Sequence, residues 1–336
     1  MNVPVIAFFS NKAGVGTTSL VYHLAWMFSD LGARVLAADL DPQANLTAAF
    51  LDEDRLEQLW PDGDHLQTVF GAVGPLLRGA EDAGMPHVEE IDNNLGLLVG
   101  DLALSGLEDQ LAEAWPKCKG GDERAFRVMS AFRRIMQEGA SKEGANVVLM
   151  DLGPDLGAIN RAALISADYV AIPLSPDLFS LQGLRNLGPT LRKWRQEWGE
   201  VTAHNPAPDL ALPPGRMLPL GYIILQHPVR LGRPVEAYDR WIAQIPREYK
   251  EAVLGETKDG SMPPSRDPNR LKTLKPYHSL APLAQEAHKP MFHLKSADGA
   301  IGSHLQAAQA AYREFKELAG ALASAAHIQV PGIESP

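Results

Sequence analysis

Six stretches of the chain are almost wholly apolar, and turn residues interrupt them: "PVIAFFS", "ARVLAADLD", "LGLLVGD", "ANVVLMDLGPDLG", "ADYVAIPLSP" and "MLPLGYIILQHP". Short apolar runs bounded in this way predict strands. Between them the period changes. Leu20, Leu24, Phe28 and Leu31 recur at helical spacing, and Gly32 supplies the stop. "DERAFRVMSAFRRIMQEG" sets Phe126, Met129, Phe132, Arg133 and Met136 along one side of a second helix. "LFSLQGLRNLGPTLRKWRQEW" predicts a third, bent near Gly188 and Pro189. A last helix from about Ala300 to Ala325 turns Leu305, Tyr312, Phe315, Leu318 and Leu322 inward. Strands alternating with helices imply an α/β fold: a doubly wound, mostly parallel sheet with helices on both faces.

No internal repeat divides the chain. Residues 1–326 read as one domain, with peripheral insertions near 52–94, 199–215 and 252–275 and a flexible tail at 327–336. The first insertion is rich in Gly, Pro, Asp and Glu and predicts short helices. "GETKDGSMPPSRDPNR" is the strongest candidate for disorder.

Composition narrows the class. The 336 residues carry a net charge of -10 and one cysteine. A disulfide framework, a multi-cysteine metal site and a cysteine-bridged iron–sulfur cluster are excluded. Cys118 sits in the loop-like "WPKCKGG" and has no activating partner in sequence. No basic segment leads into an apolar run at the N-terminus, and no window suits a membrane helix, so a cytoplasmic chain is expected. The acidic balance weighs against general nucleic-acid affinity, although Arg192, Lys193, Arg195, Arg230 and Arg233 could form a local DNA-facing surface.

The chemistry gathers where the first strand meets the first helix. Residues 11–18 read "NKAGVGTT". In a phosphate-binding loop, glycines let backbone N–H groups converge on phosphate oxygens, a lysine reaches the outer phosphates and a Ser or Thr holds magnesium. Gly14, Gly16 and Thr18 take the required places, and Thr17 stands where the lysine belongs. Asp39 and Asp41 end the second strand two residues apart and face the same way, toward the magnesium site.

These residues resemble the ParA/MinD-type partition and positioning ATPases, whose deviant loop reads K-G-G-x-G-K-[ST]. Lys12 matches that family's early lysine. "DLDPQANLT" and "VVLMDLGPDLGAINRAALISADYVAIPLSPDLFSLQGL" match two further segments, and "PMFHLKSADGAIG" fits the family's C-terminal end. The resemblance implies ATP or ADP with Mg2+ as cofactors. Asn11, Lys12, Ala13, Gly14, Val15, Gly16, Thr17, Thr18 and Ser19 would cradle the nucleotide, with Gln226 reading the base. Thr18, Asp39 and Asp151 would hold the metal, and Asp41 would orient the attacking water. It also implies a homodimer closed by ATP, in which Lys12 reaches the partner's nucleotide, and an adaptor or cargo protein, or DNA, that reads the closed state.

Three positions depart from the pattern. Ala13 replaces a glycine, at a cost of about 1–2 kcal/mol if that residue must be left-handed. Gly153 replaces a proline. Thr17 removes a charge from the phosphates, worth on the order of 1.5–3 kcal/mol in binding and about 100- to 1000-fold in rate. A dimerising ATPase with impaired hydrolysis and a non-hydrolysing interaction module on the same fold are the two readings that follow.

Overall fold

The computed structural model describes residues 2–80, 82–226, 235–256, 263–277 and 279–333. Its eight strands are β1 (Val5–Phe8), β2 (Val35–Asp39), β3 (Glu89–Asp92), β4 (Leu95–Leu98), β5 (Val147–Asp151), β6 (Tyr169–Leu174), β7 (Leu218–Leu225) and β8 (Arg270–Leu274). They form one sheet in the order β3-β4-β2-β5-β1-β6-β7-β8. The six inner strands are the six apolar runs. All pairings are parallel except β3 with β4 at one edge.

Neither edge strand stands out in sequence. β3 is "EEID", half exposed, and β8 is "RLKTL". An edge strand has one partner and little apolar burial, so its composition resembles a loop. The Arg55 guanidinium grips Glu89 of β3 through two hydrogen bonds of 2.8 Å.

Eleven α-helices cover the faces among the described residues: α1 (Thr17–Asp30), α2 (Asn45–Phe50), α3 (Glu53–Leu59), α4 (Val69–Leu77), α5 (Glu108–Lys119), α6 (Glu123–Glu143), α7 (Ala158–Ile165), α8 (Leu178–Thr202), α9 (Val235–Glu248), α10 (Ala281–Glu286) and α11 (Ser303–Ala325). Alternate residues of β1 feed opposite cores. Val5 and Ala7 pack with α4 to α9, whereas Ile6 and Phe8 pack with α1, α2, α10 and α11. The fold is therefore α/β and doubly wound.

Several local expectations are corrected. Cys118 lies in α5, fully buried, and burial pushes its thiol up to about 12, so it is inert packing. Arg133 belongs on the buried face of α6 because it donates to Asp168 and to the Ser166 carbonyl at 2.8 and 2.9 Å. α8 runs as one 25-residue helix through Pro189. Gly188 serves close approach: a Cβ there would stand 1.9 Å from the Ala252 carbonyl oxygen. Beyond α11, Gly332 N–H donates to Leu31 O at 2.8 Å and Val330 is buried. Residues 257–262 of the stretch expected to be disordered lie outside the described residues, as do Arg230 and Arg233; Arg270, at its end, begins β8.

Candidate functional site

The site lies at the carboxyl ends of β1, β2 and β5, where a parallel sheet opens a crevice. β1 ends at Phe8, and the chain turns through Ser10–Gly16 into α1. Gly14 and Gly16 adopt φ of +71° and +99°, left-handed values that a side chain resists. Ala13 is not among the residues with positive φ, so the strain foreseen for it is absent. No side chain caps the N-terminus of α1. Its first-turn N–H groups and the helix dipole are free to receive an anion.

The loop is anchored on both flanks. Asn11 donates its side-chain amide to Pro154 O at 2.9 Å. The Lys12 ammonium pairs with the Asp177 carboxylate. Asp177 also caps α8 by accepting from Ser180 N–H at 2.9 Å.

Three carboxylates meet beneath the loop. Asp39 and Asp151 are Cα partners on the adjacent strands β2 and β5, and both are fully buried. Asp39 accepts from three protein donors: Thr47 N–H and hydroxyl both reach it at 2.8 Å, and Asp41 N–H at 3.2 Å. Burial still pushes Asp39 up to about 7. Through these bonds it pins the turn that carries Asp41. Asp41 lines the cavity and accepts from Gln43 N–H at 3.0 Å; burial raises it too, and Asp155 adds to this. Gly153 makes room beside it, because a Cβ there would press to 3.1 Å from an Asp41 carboxylate oxygen.

Asp151 differs from both. Neither of its carboxylate oxygens has a partner in good hydrogen-bond geometry. Burial raises it well above the ordinary carboxylate range, Asp39 and Asp41 push the same way, and the neighbouring Thr18 hydroxyl and Leu152 N–H oppose them. A buried anionic oxygen pair without a donor is the environment a cation satisfies. Among the described residues no His, Cys, Asp and Glu cluster could hold a metal by itself. An unpaired carboxylate beside the Thr18 hydroxyl is an oxygen donor set of the kind Mg2+ takes, since that ion binds through one or two protein oxygens and completes its shell with phosphate and water.

Above the carboxylates opens a cavity of about 850 Å³, within the range of nucleotide-sized ligand sites. Lys12 through Ser19 form one wall. Tyr22 and His23 of α1 continue it, and Gln285, His288, Lys289 and Met291 supply another. Sequence patterning does not reveal this second wall. It comes from a six-residue helix and a turn in a Pro- and charge-rich stretch, with no periodicity to mark it. His23 joins the walls: its Nδ1 bonds to Ser19 O at 2.6 Å and its Nε2 accepts from Met291 N–H at 3.1 Å. Burial lowers His23 to about 4, so it is neutral at ordinary pH.

Gln226 is half-buried at the end of β7 and does not line the cavity; its N–H donates to Leu274 O at 3.1 Å. Arg192 and Arg195 spend their guanidinium groups on backbone carbonyls, Arg192 on Val253 O and Arg195 on Arg216 O and Met217 O. No helix of the described residues is long and apolar enough to cross a membrane.

A protein-family profile described as an AAA domain matches residues 3–202. Protein IncC of Escherichia coli is 30% identical over 190 residues, 56% of this chain and 45% of that protein. The chromosome partitioning protein ParA of Caulobacter vibrioides is 28% identical over 191 residues, 57% of this chain and 63% of that one. These matches therefore span about half to two thirds of the curated relatives' lengths. Among solved structures, a protein from Corynebacterium diphtheriae superposes with a TM-score of 0.71 at 23% identity, over 96% of this chain and 98% of that chain. An ATP complex of Cyanothece McdA gives 0.62 at 15% identity, over 98% of each chain. At such identities the two structures speak for the fold.

Proposed function

Because this chain belongs to the ParA/MinD-type partition ATPase family, we propose that it is a nucleotide-dependent dimerising switch whose ATP turnover is impaired by Thr17. The observation that carries this reading is the unpartnered Asp151 carboxylate, buried under an uncapped helix N-terminus that opens into a nucleotide-sized cavity. One element calls for a cation, the other for an anion.

Each residue then has a task. The N–H groups of Gly14 to Thr18 would hold the phosphate chain, and Thr18 and Asp151 would hold Mg2+, whose charge would neutralise that of the phosphates. Asp41 orients the attacking water and is itself oriented through Asp39. Thr17 donates one hydroxyl hydrogen bond where a lysine would bring a full charge, so binding survives better than hydrolysis. In the isolated chain Lys12 rests on Asp177. It would leave that carboxylate to reach the nucleotide of a second subunit, and an adaptor or cargo protein would read the closed dimer.

Titration calorimetry with ATP, in Mg2+ and in chelator, together with the mass in solution, tests this. The expected result is Mg2+-dependent ATP binding, a doubling of mass with ATP and slow phosphate release. ATP binding with no change of mass would favour the non-hydrolysing interaction module, for which Thr17 speaks. Absence of ATP binding would overturn the switch.

A further inference from the structure

The missing loop lysine leaves the phosphate site short of one positive charge. Among the described residues, two lysines line the cavity: Lys12 and Lys289. Lys12 pairs with Asp177, which also caps α8, and the switch reading assigns it to the nucleotide of a second subunit. Lys289 comes from the far end of the sequence, outside the 3–202 span that matches the family profile.

Its placement follows from local geometry. α10 ends in a reversal at His288, which takes a left-handed φ of 49°, and Lys289 N–H closes the turn on Ala284 O at 3.1 Å. Two residues on, Met291 N–H donates to His23, which in turn bonds Ser19 in the first turn of α1. One imidazole therefore ties the Lys289 turn to the helix that bears the loop. The Lys289 side chain is 45% exposed, and its ammonium meets Asp298 at 2.7 Å. An ammonium has three N–H donors, so this pairing leaves two.

We propose that Lys289 is the phosphate-binding cation of this protein, taking from a second wall of the cavity the part that a loop lysine at position 17 would play. The ligand it serves is the polyphosphate chain of a nucleoside di- or triphosphate. The inference rests on the nucleotide reading above. It adds that the charge deficit at Thr17 is offset within the same chain.

The test is calorimetry on the full chain with Mg-ATP and with AMP. Lys289→Gln is expected to weaken ATP binding roughly tenfold or more, the worth of one charge-assisted hydrogen bond, and to change AMP binding less than about twofold. Lys289→Arg keeps the affinity. Adding Thr17→Lys to Lys289→Gln restores it. Asp298→Asn breaks the ion pair but keeps the cation, so it leaves ATP binding intact or tighter. The proposal is overturned if the parent chain binds ATP and Lys289→Gln binds it equally well. It is also overturned if Asp298→Asn weakens binding as much as Lys289→Gln, since Lys289 would then be only a structural tie. If neither the parent chain nor Thr17→Lys binds ATP, the nucleotide reading itself fails and this inference falls with it.

Discussion

Replacing Asp151 by Asn separates stability from function in a way that only an unpaired buried carboxylate would. In the nucleotide-free chain, Asp151 is fully buried with both oxygens unpartnered. An uncompensated buried charge costs about 3–5 kcal/mol. Asn removes the charge but leaves a buried amide poorly bonded, which returns about 1–3 kcal/mol. The expected net gain is about 2 kcal/mol at pH 8, and for a chain of 336 residues that raises Tm by about 3 °C. The gain depends on pH in a set direction. Asp151 titrates well above its unfolded range, so the parent chain recovers stability as the pH falls and the folded state takes up its proton. The two thermal curves should meet near about pH 4. Mg-ATP should reverse the ranking, raising Tm of the parent and not of Asp151→Asn. Thermal unfolding by circular dichroism, in chelator and in Mg-ATP, measures all of this. A variant less stable than the parent at pH 8, or a gain that persists unchanged at pH 4, would refute the reasoning.

Other expectations follow from the same site. Thr17→Lys should raise phosphate release about 100-fold; unchanged release with ATP bound would show that charge at this position is not what limits turnover. Thr47→Val should cost about 2 kcal/mol in urea unfolding, because it removes a hydrogen bond to Asp39 and leaves Gly100 N–H without its 2.8 Å acceptor; a loss under about 0.5 kcal/mol would deny Thr47 that role. Asp39 and His23 should nearly cancel between pH 8 and pH 5. Asp39, raised to about 7, is worth about 2.5 kcal/mol of stability regained on acidification, whereas His23, lowered to about 4, takes away about 2 kcal/mol over the same range. His23→Gln should therefore steepen the rise in stability toward acid; a pH series of urea midpoints that keeps the parent slope would contradict the assignment.

The parts of the molecule legible in sequence are those that local rules specify. The inner strands are apolar throughout, so burial alone marks them, and Gly14 and Gly16 announce a loop because few residues tolerate φ near +71° and +99°. β3 and β8 were hidden by their position at the sheet edges. The Asp39 carboxylate was visible as a strand end, yet its engagement by Thr47 depends on a turn eight residues away folding back over it. The Lys289 wall was hidden for a deeper reason. It reaches the loop only through His23 and Met291, which are 268 positions apart, and no pattern along the chain encodes a contact of that range.

The helix that bears the loop is held at its middle and its end by residues from far along the chain. Met291 is fastened to His23 at its midpoint, and Gly332 to Leu31 just past its end. A nascent chain therefore carries "NKAGVGTT" well before the residues that finish the cavity around it. At about 5–20 residues per second, the loop waits roughly 15–60 s for its second wall. A change near Met291 or Gly332 therefore acts directly on the helix formed from the earliest part of the fold.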